Sequence, residues 1–199
     1  MFLLSSPDEA FIRHFLKNQD QQPFSYEPVG CTRTLAPTAI PNLTMDHNRV
    51  CLGTGATVFQ KAVSGIRQWR MFDLAWLSIC FPDAPIEVGT VVAVLARPFW
   101  PWSLSPCRII YVIDARNGEF DRFGFAYGTL PEHVAKGEER FSVEWNHADD
   151  SVWYEILAYS GPRHILTRIG YPLTRRIQKR FAKESKQAML RAVQSVAGT

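Results

Sequence analysis

The stretch Tyr127-Gly128-Thr129-Leu130-Pro131-Glu132-His133, followed by Gly137-Glu138-Glu139, gathers side chains suited to proton transfer. Imidazole titrates near neutral pH, and a neighbouring carboxylate can fix its tautomer and orientation. His133 is therefore the candidate base or acid, Glu138 or Glu139 its orienter, and Tyr127 a hydrogen-bond donor to a developing oxyanion. The plainer reading of the same residues is a strand–turn–strand link whose polar side chains cap backbone groups. On residue types alone the plainer reading stands first.

Other reactive side chains are dispersed. His14, His47, His147 and His164 show no HxH or HxxxH spacing, so no metal site is expected. Cys31, Cys51, Cys80 and Cys107 form no CxxC clip and read as reduced, mostly buried thiols of a cytoplasmic protein. Ser64-Gly65 and Ser160-Gly161 lack the GxSxG setting of a nucleophile elbow. Gly53-Thr54-Gly55 has neither the third glycine nor the lysine of a nucleotide loop. No cofactor is implied.

The elements that must position these groups follow from periodicity. Ser6-Pro7-Asp8-Glu9 opens a short helix, with Ser6 as its cap, ending near Asn18. Residues 1–22 then form an N-terminal helical extension. Met45 to Leu52 reads as an edge strand. Gly53-Thr54-Gly55 starts a helix near 55–70, capped by Thr54, with Val58, Phe59, Ala62, Ile66 and Trp69 on one face. Met71 to Cys80 is apolar on almost both sides, as a central strand would be. Strands follow at Val88–Arg97, Cys107–Ala115, Phe120–Thr129, Glu139–His147 and Val152–Ser160. Asn117-Gly118 makes a tight hairpin turn between two of them. Phe99-Trp100-Pro101-Trp102 is a turn or rim segment. A basic amphipathic helix over 163–197 ends the chain, with Pro172 expected to kink or split it.

The charge is uneven. From Arg163 onward there are nine Lys or Arg against one acid, Glu184, so a +8 segment follows a body of −5 in a chain of +3. Arg168, Arg175, Arg176, Lys179, Lys183 and Lys186 lie off the apolar stripe. They read as a solvated face or as a weak contact with an anionic membrane surface. The interleaved aromatics of a nucleic-acid platform are missing, so nucleic acid ranks lowest as a partner. No segment has the apolar length of a membrane-spanning helix, and the first residues do not read as a signal peptide.

Consecutive strands followed by one long amphipathic helix predict a single α+β domain over 1–199. The expected fold is a helix-grip (START-like) curved antiparallel sheet of about 6–8 strands packed on the C-terminal helix. Aromatic residues make up 13% of the chain, and many must be buried. A cavity between sheet and helix would be lined by Trp69, Trp76, Tyr111, Phe125, Tyr127, Trp145 and Tyr154, with Arg168 available for an acidic headgroup. Three readings stay open. The first is a binder of a hydrophobic small molecule: a lipid, isoprenoid or aromatic metabolite. The second is a cyclase, hydratase or hydrolase using His133, Glu138, Glu139 and Tyr127. The third is a structural or interaction protein whose core is filled.

Specific strings carry a resemblance. They are Tyr26-Glu27-Pro28-Val29-Gly30, the Gly53–Trp69 segment, Tyr127 to Pro131 with His133, Gly137-Glu138-Glu139 with Phe141, and Arg168 to Met189 with Gln178, Arg180 and Phe181. In these the chain resembles the UPF0548-like family of unknown function. That family is grouped with the helix-grip superfamily of START lipid-transfer domains, birch-pollen-allergen-like proteins and polyketide cyclases. The resemblance implies an apolar cavity between sheet and helix and implies no reaction.

Overall fold

A computed structural model describes residues 1–34, 40–162 and 171–194. The elements are β1 (Phe2–Leu3), α1 (Glu9–Gln19), β2 (Thr44–Thr54), α2 (Ala56–Arg67), a 3₁₀ turn (Arg70–Phe72), β3 (Leu77–Cys80), β4 (Val91–Ala96), β5 (Trp102–Arg116), β6 (Phe120–Thr129), β7 (Ala135–Asn146), β8 (Ser151–Pro162) and α3 (Tyr171–Gln194). Seven strands form one curled antiparallel sheet in the order β2-β8-β7-β6-β5-β4-β3, and the short β1 pairs with β5. From β4 to β8 each strand pairs with the next in the chain. That is the meander expected of strands joined by short turns. The expected helix-grip architecture is the one observed, with α2 and α3 against the sheet's concave face.

Three local expectations are corrected. The central strand over Met71–Cys80 is instead a 3₁₀ turn followed by the terminal strand β3. Trp69 adopts a left-handed conformation (φ 55°) that breaks the chain direction, and Met71 and Phe72 drop into the core. The two-sided hydrophobicity of this run reflects a plug between helix and sheet, not a strand covered twice. Asp8, not Ser6, caps α1, its carboxylate accepting from the Phe11 N–H at 2.8 Å. Thr54 ends β2, and Gly55 (φ 89°) turns the chain into α2 without a side-chain cap. The described α3 begins at Tyr171, with Pro172 in its first turn, where no intrahelical N–H bond is lost. Residues 163–170 of the expected helix lie outside the described residues.

Helix α3 buries Phe181, Ala182, Ser185, Ala188, Met189 and Val193, one face at three- and four-residue spacing. Polar contacts also fix it to the layers beneath. The Trp76 indole N–H donates to Glu184 at 2.7 Å, and the hydroxyls of Tyr154 and Ser185 are 2.9 Å apart. Beneath it one end of the half-barrel is solid. Trp69, Phe72, Phe125, Phe141 and Phe181 stack in a ring cluster with neighbouring centroids 4.9–5.8 Å apart. Offset and edge contacts of this kind add to the burial energy of each ring.

Candidate functional site

Strands β6 and β7 place the candidate residues by simple alternation. Glu139 pairs with Tyr127 and Glu138 with Gly128, so the two adjacent glutamates face opposite sides of the sheet. Gly137 (φ 145°) sets the register just before them, its N–H donating to Thr129 Oγ1 at 2.9 Å.

On the concave side, beside the ring cluster, lies a cavity of about 600 Å³. Val94, Tyr127, Ile156 and Ala158 line its sheet wall, Phe72 and Trp76 one end, and Ile177 and Phe181 of α3 its roof. Into this apolar space projects Glu139. The Tyr127 hydroxyl donates to Glu139 Oε2 at 2.9 Å. Burial pushes the Glu139 carboxyl up to about 7; the Tyr127 hydrogen bond opposes that rise, and the charge of Asp46 adds to it. Tyr127 is itself held protonated, pushed well up by burial and by Glu139. At the cavity's edge Asp46 is ion-paired to Arg175, whose guanidinium also donates to Gln178 at 2.8 Å. Gln178 in turn donates to Ser160 at 3.0 Å.

This arrangement fixes a pH dependence of stability. Below pH 4.5 the Glu139 carboxyl is protonated in both folded and unfolded chains. Between 4.5 and about 7 the unfolded chain releases its proton and the folded one does not, so stability falls as pH rises and the loss is complete above about 7. A displacement from 4.5 to about 7 corresponds to about 3 kcal/mol. Glu139→Gln removes it. The melting temperature of the variant minus that of the wild type is expected to grow between pH 4.5 and 7.5 and then level off. A difference that stays flat across that range would contradict the placement of Glu139.

Glu138 faces the convex side and is 2% exposed. Its carboxylate accepts from Tyr26 Oη at 2.6 Å, Gly30 N at 2.7 Å, Thr32 N at 2.9 Å and the Thr32 hydroxyl. It clasps residues 26–32 onto the sheet and cannot also orient an imidazole on the other side. His133 sits on the cavity rim, where its Nδ1 accepts from the Ala135 N–H at 3.0 Å. Of the acid–base candidates, Tyr127 and Glu139 are in contact, His133 shares their cavity, and Glu138 borders it with its carboxylate engaged by Tyr26, Gly30 and Thr32.

The expected liners divide in the same way. Trp76 and Tyr127 form cavity wall. Trp69, Phe125 and Tyr154 belong to the solid core beside it, because rings of this size fill one another's space. Tyr111 turns to the convex side, its hydroxyl 2.6 Å from that of Thr32 and the Arg33 guanidinium over its ring. Trp145 packs near Phe59 and donates to Asp150 at 2.8 Å. Arg168 lies outside the described residues.

Residues 25–188 match the model of a family described as a domain of unknown function, DUF1990. The chain belongs to this family. A UPF0548 protein of Dictyostelium discoideum is 36% identical over 209 residues, covering 98% of this chain and 97% of its own. A UPF0548 protein of Arabidopsis thaliana is 34% identical over 151 residues, covering 75% and 73% respectively. The crystal structure of human STARD10 is similar at a TM-score of 0.47 and 13% identity, over 95% of this chain and 80% of that one.

The DUF1990 match includes the clasp at Tyr26–Thr32, the Tyr127–Glu139 pair and most of α3, and leaves β1 and α1 outside. Within the matched region the sequence reading passed over Phe72, Ala158, Ile177 and the Asp46–Arg175 pair as parts of the site. Alternation along β2 and β8 puts Asp46 and Ala158 opposite each other, which was the available signal. Of the basic residues proposed for an anionic surface, Arg176, Lys179 and Lys183 are exposed, while Arg175 is committed to Asp46. Among the described residues no helix is long and apolar enough to cross a membrane.

Proposed function

We propose that this DUF1990 protein binds a hydrophobic small molecule between its sheet and α3. The observation that carries the reading is the cavity of about 600 Å³ left open beside a ring cluster that packs solid. A void of this size lies in the range of small-molecule sites. Packing alone does not maintain such a space, since interiors otherwise close to near-crystalline density. Burying about 300 Å² of apolar ligand surface yields about 7 kcal/mol, of which association entropy consumes a share. Native mass spectrometry of gently purified protein is expected to show a co-purified hydrophobe. A clean unliganded mass together with no thermal shift from any lipid class would defeat the proposal.

Filling the cavity gives a second test. Ala158 lies on the cavity wall, opposite both Asp46 and Glu139 in the ladder. Ala158→Phe is expected to weaken binding by at least about tenfold while changing stability by no more than about 3 kcal/mol, the usual range for overpacking. Unaltered affinity, measured by displacement of the co-purified ligand, would place the ligand elsewhere.

A second reading is favoured by one observation, the Glu139 carboxyl held near pH 7 against the Tyr127 hydroxyl. A carboxyl poised there can both take and give a proton, with Tyr127 donating to a developing oxyanion and His133 on the rim. In this reading the molecule found on wild-type protein is a product. Glu139→Gln would then retain its precursor, and the two proteins would carry ligands of different mass. Identical ligand masses on both would count against catalysis and leave binding intact.

A further inference from the structure

Glu139 has one hydrogen-bond partner, Tyr127, and among the described residues no Lys, Arg or His is ion-paired with it. The bond occupies Oε2, and Glu139 lines the cavity. The second carboxylate at the cavity, Asp46, is neutralised by Arg175 from the neighbouring helix. Among the described residues none of the basic groups lining the cavity is ion-paired with Glu139, and His47 pairs with Glu155 at 3.0 Å. Lys136 runs along Gly161, Lys179 is exposed, and His133 is held by the main chain of Ala135.

The rings around Glu139 share its polarity. Phe72, Trp76, Tyr127 and Phe181 all line the cavity, with Phe72 5.5 Å from Phe181 and 6.1 Å from Tyr127 between centroids. Aromatic faces carry negative electrostatic potential and attract cations, most strongly where water is excluded. Trp76 already receives a cation on one face, the Arg180 guanidinium at 4.7 Å. A carboxyl with no counter-charge among the described residues, in a cavity lined by four aromatic side chains, favours an ammonium group attached to an apolar body. A carboxylate ligand would meet Glu139 and the ring faces with like polarity, and an alcohol would engage only the hydrogen-bonding capacity.

We propose that the cavity is selective for lipophilic amines, the ammonium lodged against Glu139 inside the cage of Phe72, Trp76, Tyr127 and Phe181. This rests on the small-molecule reading above and adds the charge of the guest. Isothermal titration with three probes of equal chain length tests it: decyltrimethylammonium, decanol and decanoate, each below its micellar concentration at about pH 7.5. The ammonium probe is expected to bind at least about tenfold more tightly than either of the others. In Glu139→Gln that advantage is expected to vanish while decanol affinity changes little. Decanol or decanoate binding as tightly as the ammonium in the wild type would overturn the amine assignment and leave the cavity reading standing. An ammonium preference undiminished in Glu139→Gln would overturn the assignment to this carboxyl. Binding of none of the three would defeat both readings together.

Discussion

Gly137→Ala is expected to leave little folded protein. The backbone at this position has φ 145°, a region that side chains of L-residues rarely enter. A Cβ built there would lie 1.9 Å from the Tyr159 carbonyl oxygen and 2.9 Å from the Ser160 Cα, both main chain of the paired strand β8. Neither atom belongs to a flexible side-chain end, so relief requires β7 and β8 to separate where both glutamates are set. Conformational strain alone costs about 1–3 kcal/mol, and the clash adds to it against a total stability of about 5–15 kcal/mol. Gly89→Ala is the matched control: its φ is 92° but a Cβ there meets nothing within 4 Å. Soluble yield and the thermal melt of the two variants separate strain from collision. A Gly137→Ala protein melting within about 2 °C of Gly89→Ala would refute the close approach of the strands.

The second large effect is expected at Glu138. Its carboxylate takes two main-chain N–H groups and two hydroxyls from Tyr26, Gly30 and Thr32. Glu138→Ala strips these buried donors of their acceptor, and each unsatisfied donor costs about 1–3 kcal/mol. Partial relaxation of the clasp limits the total to about 3–5 kcal/mol. At about 2–4 °C per kcal/mol for a chain of this length, the melting temperature is expected to drop by about 10 °C. Cys31 reports the same event. Its thiol is pushed up to about 12 by burial and by Glu138, so it is unreactive in the intact clasp. In a Cys51→Ser background, which removes the exposed thiol, Glu138→Ala is expected to make one further thiol react with Ellman's reagent. A stable variant with unreactive Cys31 would show that the clasp does not depend on this carboxylate.

These two neighbours show where reading a sequence succeeds and stops. Local signals were legible: the Asn117-Gly118 hairpin, the run of consecutive strands, and the three- and four-residue spacing that marks α3. Each depends on residues close together in the chain. The separate tasks of Glu138 and Glu139 were hidden by a boundary. Read as part of a loop, Gly137-Glu138-Glu139 seems to offer two interchangeable carboxylates, whereas β7 begins at Ala135 and alternation parts them. The donors that claim Glu138 lie 106–112 residues away, beyond any pattern in one sequence. The liners were misjudged for a related reason. Hydrophobicity shows that Trp69, Phe125 and Tyr154 are buried, but not whether they meet empty space or one another. Met71–Cys80 was misread because burial on two sides has the same signature in a wedged turn as in a central strand.

The ring cluster and the cavity adjoin in one half-barrel and share Phe72 and Phe181, and that sharing has an evolutionary consequence. A substitution at Phe72 or Phe181 alters the cavity and the core together, whereas Ala158 lines the cavity outside that core cluster. The shape of the cavity can therefore drift at Ala158 while the scaffold is inherited unchanged.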